Sequence, residues 1–80
     1  MRPTEAVRGM IGASGMTMRD VSRGMGRGET FLGSSLGRSG GLSVRTVSEA
    51  AAVCGWRLVL TPADDLPPDA LVLDPPGPPA

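Results

Sequence analysis

The sequence contains no lysine, histidine, tyrosine, asparagine or glutamine, and only one cysteine. A lone cysteine, Cys54, excludes an internal disulfide, and the lack of histidine excludes a Cys/His zinc site. No apolar run approaches the roughly 20 residues of a membrane-spanning helix, and the opening MRPTEAVRGM carries charges where a secretory signal would be apolar. These absences predict a cytoplasmic protein that needs no metal or cofactor and has no contact with a membrane.

Aromatic bulk is also scarce, because the chain has one tryptophan and one phenylalanine in 80 residues, beside 12 glycines and 8 prolines. A chain of this length forms one small domain and buries only about 60% of its unfolded surface. We therefore expect a marginal core that gains from a partner subunit.

No residue pattern in the chain is typical of a catalytic site. GETFLGSS, residues 28–35, has the spacing of a phosphate-binding loop but lacks its lysine. Cys54 has no histidine to activate it and lies on the apolar face of a predicted helix, so we interpret it as a small core residue. The sequence predicts a protein that is not an enzyme.

Charge is distributed unevenly along the chain, although the formal net charge is zero. Residues 1–60 carry all eight arginines and four acids, whereas residues 61–80 carry four aspartates and no base. The chain thus combines a body of net charge +4 with a tail of net charge −4. A basic body is typical of proteins with an anionic partner such as nucleic acid.

The spacing of apolar residues predicts a first helix at about residues 4–14 and a second at about 17–25. Thr4 is the expected N-cap of the first helix, and Gly15 its end. Thr17 and Asp20 have the spacing of a capping box at the start of the second helix, which we expect to end before Gly26.

A third predicted helix presents Phe31, Leu32 and Leu36 on one face. We expect Glu29 in its first turn, where a carboxylate interacts favourably with the helix dipole. Gly33 lowers the helix propensity by about 1 kcal/mol relative to alanine, so this helix needs support from the rest of the fold.

The fourth and strongest predicted helix begins after Ser43 and ends at Gly55, and its apolar stripe comprises Val44, Val47, Ala51 and Cys54. From Trp56 the period changes to two, which predicts a strand at residues 56–61 and a second at 70–73. We therefore divide the chain into a helical domain (1–55), a C-terminal strand or hairpin (56–74) and a disordered Pro-rich tail (75–80).

Two adjacent short helices joined through a glycine turn are the unit that places a second helix in the major groove of DNA. Residues 17–38, TMRDVSRGMGRGETFLGSSLGR, resemble the helix-turn-helix of the Xre/Cro family of phage and bacterial repressors. The residues that match the packing positions of the family are Val21, Ser22, Met25, Gly26, Phe31 and Leu32. The resemblance implies an all-α, lambda-repressor-like bundle of four to five short helices with a C-terminal strand or hairpin.

Two positions depart from the pattern of the family. Arg27 follows the turn glycine, where many members have an apolar residue, and Ser35 stands where the family usually has isoleucine or valine. We expect Leu36 to fill the space at the second position.

The same resemblance implies which residues contact DNA. Base contacts are expected from the early, outward positions of the second helix of the motif: Gly28, Glu29, Thr30, Gly33 and Ser34. Phosphate contacts are expected from the helix start at Thr17 and from nearby guanidinium groups: Arg19, Arg23, Arg27, Arg38 and Arg45. The alternatives are that Thr17 is only a cap, that Gly33 and Gly37 serve only tight packing, and that the arginines form a solvated face.

The absence of asparagine and glutamine excludes the bidentate contact to adenine. The DNA sequence would instead be recognised by contacts of arginine with guanine, of Glu29 with cytosine, or of hydroxyl and methyl groups with base edges. The sequence thus predicts a DNA-binding regulator, a repressor that binds double-stranded DNA.

A homodimer is expected, because paired half-sites about 34 Å apart match a two-fold protein. Its interface would comprise Trp56, Leu58 and Leu60, with Leu71 and Leu73 in second place. Trp56 could instead cover the core of its own chain.

The acidic tail leaves two other hypotheses open. In the first, the protein is antitoxin-like: it binds a partner protein through this segment and regulates its own operon. In the second, the tail folds over the basic body and weakens nonspecific binding to DNA.

Overall fold

Four short helices form the regular structure of the residues that are described. The computed structural model describes residues 1–37 and 42–73. Within these ranges the helices are α1 (Pro3–Ser14), α2 (Met18–Gly24), α3 (Phe31–Leu36) and α4 (Val44–Val53). The prediction of an all-α fold is confirmed for these residues. None of these helices is long and apolar enough to cross a bilayer.

Helix α1 begins earlier than its sequence predicts. Arg2 occupies the N-cap position and Pro3 the first helical position, so the prediction of Thr4 as the cap is wrong. Proline suits this position because its φ angle is already helical and the N–H that it lacks would have had no partner within the helix. The helix ends as predicted at Gly15, whose φ is 75°.

A glycine turn closes the end of α2. The Gly26 N–H donates to the Arg23 carbonyl at 2.9 Å, and the Arg27 N–H donates to the Ser22 carbonyl at 3.0 Å. These two bonds form a Schellman motif. The motif requires a left-handed backbone conformation at the residue after the C-cap, and Gly26 has this conformation, with a φ of 75°. The chain leaves α2 along a fixed path toward α3.

Helix α3 begins later than predicted. It begins at Phe31 with Thr30 as its N-cap residue, and no acidic residue lies in its first turn. The placement of Glu29 in that turn is therefore wrong. The cause is the turn itself, because the Phe31 N–H donates to the Gly28 carbonyl at 3.1 Å and residues 29–30 are still part of a turn.

The core is built mainly from small and branched side chains of all four helices. Leu32, Val7 and Val21 are fully buried, and Ser22 is buried among them. The predicted stripe of α4 is confirmed at Val47 and Ala51, with Cys54 partly buried. The remaining buried hydrophobic residues are Ala6, Met10, Ile11, Leu36 and Ala50.

Position 44 departs from the predicted stripe of α4. Val44 is 74% exposed, so its placement on the buried face is wrong. Val44 is the first residue of the helix, and Ala50 takes the buried position beside Ala51.

Helices α2 and α4 approach each other closely at Gly24. A Cβ atom at this position would lie 2.6 Å from Cγ1 of Val53, well inside van der Waals contact. The absence of a side chain at position 24 therefore allows the end of α2 to pack against the end of α4.

The segment that follows α4 forms no strand in the described residues. Residues 56–61 and 70–73 have no regular secondary structure, although both were predicted as strands. A strand needs a hydrogen-bonded neighbour, and a two-stranded hairpin alone is marginal in water. The segment instead lies against the helices through Trp56 and Leu71, which pack on the core.

Candidate nucleic-acid interface

A buried hydrogen bond fixes the start of α3 relative to α2. The Ser22 hydroxyl accepts from the backbone N–H of Leu32 at 3.2 Å, and Ser22 is fully buried. The N–H groups in the first turn of a helix have no partner within it, so Ser22 satisfies one of them from the neighbouring helix. A small polar residue at position 22 thus joins the two helices of the motif.

The start of α2 carries the predicted capping box. The Asp20 N–H donates to the Thr17 hydroxyl at 3.1 Å, and the Thr17 N–H donates to the Asp20 carboxylate at 3.2 Å. The bond from the Thr17 backbone is the main reason that the pKa of Asp20 lies below its ordinary value of 3.8, and the Thr17 hydroxyl and the Arg23 guanidinium lower it further. Thr17 is therefore a true cap.

We expect the capping box to weaken in acid. Because the folded-state pKa of Asp20 is lowered, its contribution to stability is complete above the unfolded pKa and is lost as the pH falls through the folded pKa, below 3.8. Thr17→Ala should raise the pKa of Asp20 only part of the way to its ordinary value, because alanine removes the hydroxyl and keeps the backbone N–H; an NMR titration of the carboxyl carbon measures this. Thr46→Ala, in the first turn of α4, is the control and should leave it unchanged. An ordinary pKa for Asp20 in the unaltered protein would contradict this prediction.

Two arginines of α2 share one glutamate from the turn. Glu29 lies 3.5 Å from Nε of Arg19 and 3.8 Å from a terminal nitrogen of Arg23. Arg23 also donates to Asp20 at 3.1 Å. This cluster of two arginines and two acids is neutral, and its four side chains are at least 45% exposed. Glu29 therefore lies where it can lower the attraction of α2 for phosphate.

Two further arginines meet at Glu49, which sequence analysis did not single out. Nε of Arg45 lies 3.0 Å from one carboxylate oxygen, and a terminal nitrogen of Arg27 lies 3.9 Å from the other. The Arg27 guanidinium also lies 4.8 Å from the centroid of the Phe31 ring, a cation–π distance. The spacing of Arg45 and Glu49 on one helix was a visible signal. The approach of Arg27 depends on the fold.

The predicted base-contact residues lie together on the exposed side of the motif. Gly28, Glu29 and Thr30 form the approach to α3, and Gly33 and Ser34 lie in its first two turns. A Cβ atom at Gly33 would have no neighbour within 4 Å, so tight packing does not require glycine there. The predicted phosphate residue Arg38 and the predicted tail at 75–80 lie outside the described residues.

The predicted interface residues of the C-terminal segment divide into two groups. Trp56 and Leu71 pack partly on the core of their own chain, whereas Leu58, Leu60 and Leu73 are exposed. Beneath the segment lies an open cavity of about 450 Å³ between α1, α4 and residues 56–73.

In residues 1–37 and 42–73, no group of three or more acidic, cysteine or histidine side chains could hold a metal ion. Comparison with models of protein families, with curated proteins and with solved structures finds no match.

Proposed function

We propose that the protein is a DNA-binding transcriptional regulator of the helix-turn-helix type that acts as a homodimeric repressor. The observation that supports this best is the unit formed by α2, the turn and α3. The hydrogen bond between Ser22 and Leu32 and the Schellman motif at Gly26 hold its two helices in a defined relation. A defined relation between the two helices is what a reading helix in the major groove requires.

The exposed face of this unit has the chemistry for contact with DNA. The side chains of Arg19, Arg23 and Arg27 are each at least 45% exposed, so a phosphate can reach them. Thr30 makes no capping hydrogen bond through its side chain, which leaves its hydroxyl and methyl groups available to base edges. In this proposal the arginines position the protein and residues 28–34 select the sequence.

The proposed dimer uses the exposed part of the C-terminal segment. Leu58, Val59 and Leu60 are exposed in succession, and they belong to the stretch whose alternation predicts a strand. Pairing with the same stretch of a second chain would supply the neighbour that a strand needs and would cover these side chains.

Binding to the DNA upstream of its own gene, compared with a scrambled duplex at about 150 mM salt, tests the proposal. We expect selective binding, and light scattering should give the mass of a dimer. Arg23→Ala should weaken binding to both duplexes and reduce the salt slope by about 0.9, because one phosphate contact is lost. Arg8→Ala, on the exposed side of α1, is the matched control and should change neither. Equal weak binding to both duplexes would contradict the proposal.

The preference of the protein for particular DNA sequences is tested in a separate experiment. Thr30→Ala or Glu29→Ala should change which duplexes are preferred when a library of sequences is selected for binding. A uniform loss of affinity for all sequences would remove these residues from base recognition.

A second candidate function is antitoxin-like binding of a partner protein through the acidic segment. Its support is that Leu66 is exposed beside the acids Asp64, Asp65 and Asp69, an arrangement suited to a basic partner with an apolar pocket. Co-expression with the product of the neighbouring gene distinguishes the two functions. If that product copurifies with the full chain but not with a chain that ends at residue 61, the antitoxin-like function is favoured. If that truncation only raises DNA affinity at low salt, the tail acts as a screen.

A further inference from the structure

Glu49 brings two arginines from different parts of the chain to one point on the surface. Arg45 lies one helical turn before it on α4, and Arg27 comes from the turn between α2 and α3. Each guanidinium is directed at a different oxygen of the same carboxylate, at 3.0 Å for Arg45 and 3.9 Å for Arg27. Two guanidiniums that converge on a pair of anionic oxygens also suit a phosphate group.

The surroundings of this cluster leave space for such a group. An open depression of about 480 Å³ is lined by the two arginines and Glu49, together with Gly24, Met25, Ala52 and Val53. Both guanidiniums are accessible, since the Arg27 side chain is 45% exposed and that of Arg45 is 83% exposed. The contact with Phe31 restricts where the Arg27 guanidinium can move.

We propose that Arg27 and Arg45 form a clamp for a backbone phosphate of DNA and that Glu49 is its internal competitor. This inference rests on the proposed function and names one contact of the same interface. An incoming phosphate must displace Glu49 from the guanidiniums and is repelled by its charge. Both arginines are exposed and Glu49 is partly exposed, at 31%, so solvent weakens the two ion pairs and a phosphate can displace the carboxylate. Glu49 therefore lowers the affinity for DNA of every sequence.

Glu49→Gln tests the clamp, because it removes the charge and keeps the shape. The probe is a scrambled DNA duplex, and binding is measured from about 50 to 200 mM salt. We expect the variant to bind this duplex about threefold more tightly than the unaltered protein, since the two solvent-weakened ion pairs of Glu49 no longer compete. Its salt dependence should become steeper by up to about 0.9 in the slope of log K against log salt.

Glu5→Gln is the matched control. Glu5 lies in the first turn of α1, is exposed, and takes part in none of the ion pairs among the described residues. The substitution Glu5→Gln therefore changes the net charge by the same amount as Glu49→Gln but leaves the clamp intact. The affinity of the Glu5→Gln variant for the duplex should equal that of the unaltered protein. Equal gains for Glu5→Gln and Glu49→Gln would overturn the proposal, because net charge alone would then explain both.

A second test uses the two arginines directly. In a chain that carries Arg27→Ala and Arg45→Ala, the further change Glu49→Gln should give no gain in affinity. A gain of the same size would overturn the proposal. Thermal melting followed by circular dichroism establishes that every variant compared is folded.

These outcomes separate the clamp from the proposed function. If Glu49→Gln binds more tightly than Glu5→Gln but no sequence is preferred, the clamp stands and sequence-specific regulation fails. If the upstream DNA is preferred but the two variants bind alike, only the clamp fails. If neither the unaltered protein nor Glu49→Gln binds the duplex at about 50 mM salt, both proposals fail.

Discussion

Leu32→Ala is expected to lower the free energy of unfolding by about 3 kcal/mol, because it truncates the largest fully buried side chain of the core. Leu32 has no exposed surface and lies at the start of α3, in the core that all four helices share. Its removal leaves a cavity in a core that has few large side chains with which to fill it. Because small domains have total stabilities of about 5 kcal/mol or little more, most of the chain's stability should be lost.

Urea unfolding measures this effect, and Val44→Ala is its control. Val44 is 74% exposed and lies outside the proposed dimer interface, so its truncation should alter the free energy of unfolding by less than about 0.5 kcal/mol. Leu32→Met, which conserves volume, should cost less than about 1.5 kcal/mol. Similar losses for Leu32→Ala and Val44→Ala would contradict the placement of Leu32 in the core.

The second large effect is expected from Ser22→Ala. The substitution removes the hydroxyl that accepts from Leu32 and leaves a buried N–H without that partner, which costs about 1–3 kcal/mol. The effect differs from that of a cavity, because only one oxygen atom is lost. We therefore expect α3 to loosen from α2, with faster amide hydrogen exchange at Leu32 and weaker binding to DNA.

Ser48→Ala is the matched control for this change. Ser48 lies on the exposed side of α4, where alanine is the better helix former, so stability should be unchanged or slightly raised. If Ser22→Ala were as harmless as Ser48→Ala, the hydroxyl could not be what joins the two helices.

The helix ends were largely predictable, because local residues determine them. The capping box of Thr17 and Asp20, the cap at Ser43 and the left-handed glycines at positions 15, 26 and 55 are all present. Each of these features depends on residues within a few positions of one another. Their spacing in the sequence is therefore sufficient to identify them.

The errors have two kinds of cause: a local turn that competes with a helix start, and contacts between distant parts of the chain. Glu29 suited a helix start by composition, but the Schellman motif and the turn after it use the residues before Phe31. The strand at residues 56–61 had the right alternation, but no strand lies beside it in the described part of the chain. The approach of Arg27 to Glu49 joins a turn to a helix 22 positions later, and no local pattern encodes it.

The close contact between Gly24 and Val53 has a consequence for how the sequence can vary. Because a Cβ at position 24 would fall within 2.6 Å of a Val53 methyl group, the sizes of these two residues are coupled. In a related chain with alanine at position 24 we expect alanine or glycine at position 53. The two sites should therefore change together in evolution, although 29 positions separate them in the sequence.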